Sequence, residues 1–289
     1  MDLTAFAAEM SGDDPLTIEG CGTRGGRTPG ARCMTAPSGI EWIQADEMTV
    51  CCGAGTAVDE LSAALAEVGQ RVALPTGGTV GGALAVGRSG IRRLGDGPIR
   101  DTLLQARYVD GAGDIVKAGG PTVKNVSGFD VCRLLVGSIG TLGFLGEVIL
   151  RTKPLPESSQ WFVTSAGADP FMLWRLLYHP VSVLWNGSLT WVLLEGDPAD
   201  IAEQAAVGGL TPIEHPPALP ATHRWSVAVR ELQGLTKMEA GPFVAEVGVG
   251  IVHHSSPQPE RPRDPVAEEL RHRIKVAFDP TGRLNPAHG

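Results

Sequence analysis

Residues 122–148 read Thr122-Val-Lys-Asn-Val-Ser-Gly-Phe-Asp-Val-Cys-Arg-Leu-Leu-Val-Gly-Ser-Ile-Gly-Thr-Leu-Gly-Phe-Leu-Gly-Glu-Val148. Five glycines, Gly128, Gly137, Gly140, Gly143 and Gly146, interrupt an otherwise apolar segment. Such spacing makes a poor helix and a poor strand. It suits a backbone lying flat against a large planar group, with Ser138 and Thr141 offering hydroxyls. The competing reading is a tight packing corner.

Two further glycine clusters lie upstream. Gly20-Cys21-Gly22-Thr23-Arg24-Gly25 has the GxGxxG spacing. A dinucleotide fold would run from it into a helix, with an acidic residue about 20 positions on. Glu41 stands near that distance, but Gly26, Pro29 and Gly30 forbid the helix, so a Rossmann unit is rejected. There is no GxxxxGK[ST], which excludes a P-loop. The loop can still form a nest whose N–H groups converge on a diphosphate, with Thr23 adding a hydroxyl. The alternative is an ordinary turn. Gly77-Gly78-Thr79-Val80-Gly81-Gly82 also permits close approach, and Ala83, Leu84 and Ala85 can start a short helix whose N-terminus favours an anion.

These blocks resemble the FAD-linked oxidase family with the vanillyl-alcohol-oxidase (PCMH) type of FAD-binding domain, and within it the FAD-binding subunits of bacterial glycolate oxidases. The resemblance rests on Lys124 to Asp130 and Gly137 to Gly143, on Gly20 to Arg24 and Gly78 to Ala85, and on Ser89 to Asp101. It covers residues 15 to 156. It implies FAD as cofactor, held by Gly20, Gly22, Thr23, Gly25, Pro75, Gly78, Thr79, Gly82, Ser89, Asp101, Gly140, Gly143 and Leu145. The chain departs from the family in three places: Cys21 replaces a third consecutive glycine, Phe129 replaces a tyrosine, and the segment between Pro75 and Gly78 is short. Residues 1 to 178 contain no histidine, so a histidyl link to the flavin is excluded there.

At 289 residues the chain can bury a sizeable core and divide into two domains. A net charge of -8 argues against nucleic acid as a partner. No apolar run approaches the roughly 20 residues of a membrane helix, and Met1 to Asp14 lacks the basic start of a secretory signal. A cytoplasmic location is expected, with membrane contact only through partners. The five cysteines form no CxxC pair, so no metal site is expected. They read as reduced, buried thiols.

Strands are expected at Leu16–Glu19, Met48–Cys52, Arg71–Leu74 and Val148–Lys153, and a hairpin at Leu103–Val109 and Ile115–Ala118. Thr56 reads as the cap of a helix with Asp59 in the capping box and Val58, Leu61, Leu65 and Val68 on one face. Pro154 and Pro156 mark a boundary. The fold class is α+β: a PCMH-type FAD-binding domain over 1–156 and a small antiparallel α+β cap over 157–289, whose tail returns to the first domain. In the cap, Trp161–Thr164, Ser188–Leu194 and Gly248–His253 read as strands. Pro170–Tyr178, Pro198–Ala206 and Pro265–Ala277 read as helices, and Thr211–Ala221 and Ser255–Pro265 as loops.

Oxidation of a 2-hydroxy acid needs a cation for the carboxylate, a base for the hydroxyl proton and a hydride acceptor. All seven histidines lie beyond residue 178. His253 and His254, closing a strand, are the candidate catalytic pair, although only one of two neighbours on a strand can face a site. Arg283, in a tail resembling the C-terminal signature of these oxidases and expected to fold back near the cofactor, is the third catalytic candidate; the alternative is a Pro/Gly-bounded terminal turn. Arg92 and Arg93 could balance phosphate charge, but a solvated face is the more common fate of such a pair. The resemblance implies the FAD-binding subunit of a glycolate-oxidase-like 2-hydroxyacid dehydrogenase, with a catalytic flavoprotein subunit and an iron–sulfur subunit as partners. The alternatives are a stand-alone flavin oxidoreductase and a structural subunit that has lost FAD.

Overall fold

The computed structural model describes every residue except 26–27, 122–129, 166, 221, 238–240, 261, 263 and 289. The block from Lys124 to Phe129, with Gly128, therefore lies outside the described residues. Two compact units emerge: 1–90, 98–155 and 263–289 form the first, and 91–97 with 156–262 the second.

The first unit holds β1 (Leu16–Ile18), β2 (Arg32–Met34), β3 (Ile40–Gln44), β4 (Thr49–Gly53), β5 (Gln70–Val72), β6 (Leu103–Val109), β7 (Ile115–Gly119) and β8 (Phe144–Pro154). β1 and β2 pair in parallel. The others form an antiparallel sheet in the order β3-β4-β8-β6-β7, with β5 also on β8. β8 is its centre, and its first seven residues are buried. A strand covered on both faces needs a continuous apolar run, and Val148-Ile149-Leu150 supplies the heart of one. It begins four residues before the expected start, because Gly146 belongs to it: a Cβ there would stand 2.8 Å from the Leu3 side chain.

The helix Val58–Glu67 buries Val58, Leu61 and Leu65. Its cap is Ala57, not Thr56. Thr56 is buried and its hydroxyl is engaged with the backbone of Gly39. Val68, expected on the buried face, follows the last turn and is exposed. The helix Pro265–Phe278 belongs to the first unit, where Ile274 and Phe278 pack on the core of Val50, Leu61, Leu84 and Leu150. The sequence had placed it in the second. Beyond it, Asp279 accepts from Arg283 N and Leu284 N, and Leu284 bridges Leu16 of β1. The tail thus ends beside the first strand.

The second unit is a seven-stranded antiparallel sheet. Its strands are β9 (Ser158–Val163), β10 (Ser182–Trp185), β11 (Thr190–Gly196), β12 (Thr211–Ile213), β13 (His223–Ser226), β14 (Phe243–Glu246) and β15 (Ile251–His254). They run in the order β12-β9-β11-β10-β14-β15-β13. β12 replaces part of the expected loop: Pro212 lacks an N–H, which only an edge position tolerates, and β12 is an edge. The strand expected from Gly248 starts at Ile251, since Val249 N and Gly250 N turn back onto the carbonyl of Glu246. The helices Pro170–Leu176 and Pro198–Val207 are capped by Asp169 and Asp197 with proline in the first turn. Phe171, Trp185, Val192, Leu194, Trp225 and Val252 lead the core. Arg92 joins this unit through Asp96 at 3.2 Å and Glu195 at 2.5 Å, so it is an internal ion-pairing residue and not a free phosphate counter-charge.

Candidate functional site

The two glycine clusters, Gly20 to Gly25 and Gly77 to Gly82, are far apart in sequence but meet in space. A Cβ on Gly20 would lie 2.7 Å from Thr79 Oγ1, and one on Gly78 would lie 2.4 Å from Thr23 Oγ1. Only glycine lets these backbones come so close. Asp59 fixes the second loop by accepting from Gly77 N at 3.0 Å. This is a role for its carboxylate different from the capping box. Thr79 caps the short helix Val80–Val86, its hydroxyl accepting from Gly82 N at 3.1 Å.

Around this contact lie two cavities of about 400 and 370 Å³. Both are lined by Ile18, Glu19, Gly20, Cys21, Thr79, Gly82 and Ala85, so they form one trough. The first continues along Ala54, Gly55, Ser138, Gly140, Gly143 and Leu145. The second continues along Gly22, Thr23, Arg24, Gly25, Arg88 and Asn285. The glycine-interrupted segment therefore forms one wall, as a planar ligand would require. Its hydroxyls, however, are turned to their own backbone: Ser138 donates to Leu135 O and Thr141 to Ser138 O.

Of the proposed cofactor residues, Gly20, Gly22, Thr23, Gly25, Thr79, Gly82, Gly140, Gly143 and Leu145 line the trough. Gly78 supports it by its contact with the first loop. Three others have different engagements. Pro75 gives its carbonyl to Arg24 at 2.8 Å. Ser89 accepts from Ile99 N at 3.0 Å. Asp101 is exposed and pairs with Arg133 at 3.2 Å.

Sequence reasoning missed Arg24 and Asn285. Arg24 NH2 donates to the carbonyls of Pro75 and Thr76, both at 2.8 Å, which ties the first loop to the second. Its NH1 is closed off from solvent and has no partner among the described residues. Burial pushes the guanidinium pKa down, against the opposing charge of Asp59. Asn285, held at φ 44°, donates through Nδ2 to Ile139 O at 2.5 Å, and its buried Oδ1 lacks a partner among the described residues. Neither signal was readable locally. Arg24 sits in a run of loop residues that suggests solvent, and Asn285 is brought to the wall by a contact 146 residues long.

The candidate catalytic groups divide. Arg283 is buried, and its guanidinium donates to the carbonyl of Met10 within the first unit. It lines neither cavity of the trough, and this internal engagement stands in place of the catalytic role expected of it. His254 is 1% exposed, stacked on Trp225 at 4.0 Å between ring centres, and its Nδ1 accepts from Ser256 N. Burial lowers its pKa. It is a core residue. His253, on the other face of β15, meets Glu246 Oε1 at 2.9 Å, and Glu246 is 2% exposed. The thiols of Cys51, Cys52 and Cys132 are raised by burial to about 11, 12 and 11, as befits apolar packing, while Cys21 and Cys33 are exposed.

A trough walled by glycine and alanine, of the size that holds small-molecule ligands, with an orphaned guanidinium nitrogen and an orphaned amide oxygen, fits a flat cofactor bearing a diphosphate. The family model of an FAD binding domain matches residues 32–119. The chain carries an FAD binding domain of the PCMH type. FAD is its cofactor, in keeping with the resemblance that the glycine blocks carry. The chain is 32% identical over 218 residues to the glycolate oxidase subunit GlcE of Escherichia coli (strain K12), covering 69% of this chain and 61% of that subunit. It is 34% identical over 157 residues to a D-lactate dehydrogenase of Archaeoglobus fulgidus, covering 52% and 35%. A glycolate oxidase subunit GlcD of Bacillus subtilis (strain 168) matches 28% of the chain at 40% identity. The chain thus spans less than two thirds of the length of these curated relatives. Among solved structures, an alkyldihydroxyacetonephosphate synthase shares the fold at a TM-score of 0.64 and 16% identity, covering 94% of this chain and 71% of that one.

Proposed function

We propose that this chain is the FAD-binding subunit of a glycolate-oxidase-like dehydrogenase acting on small 2-hydroxy acids. The observation that carries the reading is the trough: two distant glycine loops in contact, walled by Gly140, Gly143 and Leu145. The similarity to a glycolate oxidase subunit supports the substrate class. FAD, when bound, supplies the acceptor for the hydride of the CH–OH group. The chain's own contribution is to hold it non-covalently through Gly20, Gly22, Thr23, Gly25, Gly78, Thr79 and Gly82, and to keep the ring on the Gly140–Leu145 wall.

The partners are a catalytic flavoprotein subunit and an iron–sulfur subunit, and contact with the inner face of the cell membrane runs through them. Among the described residues no helix is long and apolar enough to cross a membrane. His253 remains the candidate base of the second unit, because a buried carboxylate orients its ring. The test is anaerobic addition of glycolate or D-lactate to the FAD-loaded chain, alone and with its co-purified partners. Bleaching of the flavin in the assembly supports the reading. An assembly whose flavin no 2-hydroxy acid reduces defeats it.

A further inference from the structure

We propose that Arg24 is a diphosphate-binding residue of the trough, and that its second task is to lock the two glycine loops together. The inference rests on the FAD reading above. Three observations carry it. Arg24 lines the second cavity beside Gly22, Thr23 and Gly25. Its NH2 is fixed by two carbonyls of the other loop, Pro75 and Thr76, so the fork has little freedom left. Its NH1 is shut away from solvent with no acceptor among the described residues.

A charged donor in that condition is costly until an acceptor arrives. The fork geometry of a guanidinium matches phosphate oxygens, and one anchored nitrogen leaves the other pre-oriented for an anion. Thr79, whose hydroxyl accepts from Gly82 N and keeps its own proton free to donate, adds a neutral hydrogen bond but no charge. The other basic groups on this wall are Arg88 and His288, and Glu19 is the acidic one. The cavity therefore gathers cations around the two loops, despite the acidic chain as a whole.

The experiment titrates FAD into the deflavinated full chain by flavin fluorescence, for the native protein, Arg24→Gln and Arg24→Lys. ³¹P spectra of the bound cofactor accompany each titration. Arg24→Gln is expected to weaken FAD by roughly tenfold to a hundredfold, the size of a lost charge-assisted hydrogen bond. Its diphosphate resonances should shift while the visible band of the ring keeps its shape. Arg24→Lys should recover part of the affinity, since it keeps the charge and loses the fork. Unchanged affinity and unchanged ³¹P resonances in Arg24→Gln overturn the proposal and leave the FAD reading standing. So does a loss accompanied by an altered ring band and unmoved ³¹P resonances, the mark of a clamp that acts only on loop spacing. If Arg24→Gln fails to fold, Arg24→Lys decides by the same ³¹P criterion. A native chain that takes up no FAD overturns both readings.

Discussion

The two units solve opposite problems with similar materials. The first opens a trough by keeping side chains away: glycines at 20, 78 and 143 stand where a Cβ would strike a neighbour at 2.7, 2.2 and 2.5 Å. The second closes its space with the largest side chains available. Phe171 and Phe243 meet Trp185 edge-on, and His254 lies flat on Trp225. Orphaned polar atoms occur in both units, so an orphan by itself marks no site. In the first unit, those of Arg24 and Asn285 line the trough, whereas Arg283 Nε does not. In the second, Glu246 Oε2 and His254 Nε2 are buried without a partner among the described residues, although His254 Nδ1 accepts from Ser256 N. The contrast teaches that an unpartnered buried group points to a ligand only where glycine backbone leaves it a cavity.

The largest effect that would break this contrast is in the aromatic core. Trp225→Ala should destabilise the second unit by about 3–5 kcal/mol, the usual cost of emptying a buried aromatic site. Hydrogen exchange would show it as lost protection in β13 and β15, with FAD affinity of the folded protein retained. Next comes Gly20→Val. Its side chain must displace Thr79 and part the loops, so FAD should bind at least about tenfold more weakly, at an overpacking cost of roughly 1–3 kcal/mol. A fluorescence titration checks it, and unchanged affinity would separate the loop contact from cofactor binding.

Thiol labelling sharpens the comparison further. Cys21 lines both cavities and Cys33 does not. FAD should slow alkylation of Cys21 severalfold and leave Cys33 unaffected, while Cys51, Cys52 and Cys132 stay unlabelled near neutral pH because burial keeps their thiols protonated. Peptide mapping after iodoacetamide reads all five. The smallest effect is a pH slope. Burial sets the folded pKa of His254 below its ordinary value of 6.5. The unfolded chain therefore binds the proton first, and stability should fall as pH drops below about 6.5. Above that value the contribution is flat. Denaturant midpoints between pH 5 and 8 should show a shallower acid slope in His254→Phe than in the native protein.

Much of the first unit was legible because its signals are local. The 3.6-residue spacing of Val58, Leu61 and Leu65 and the Asp110 turn between β6 and β7 read directly. The glycine loops were legible as places of close backbone approach for the same reason. What escaped was set by distant contacts. Thr56 looked like a helix cap, but Gly39 claims its hydroxyl. Pro212 hid an edge strand. The helix Pro265–Phe278 carries no fully buried residue that would have tied it to either core, and Lys275 anchors it by donating to the carbonyls of Thr141 and Leu284. Arg283 read as a catalytic residue because its partner, Met10, is 273 residues away.

The measurement that tests the central claim most directly is the visible spectrum of the purified chain, reconstituted with FAD, before and after acid precipitation. The account predicts oxidised-flavin bands near roughly 375 and 450 nm on the folded protein that pass entirely into the supernatant, the sign of a cofactor held without a covalent bond. A protein that stays colourless after reconstitution, or a flavin that remains with the precipitate, would contradict it.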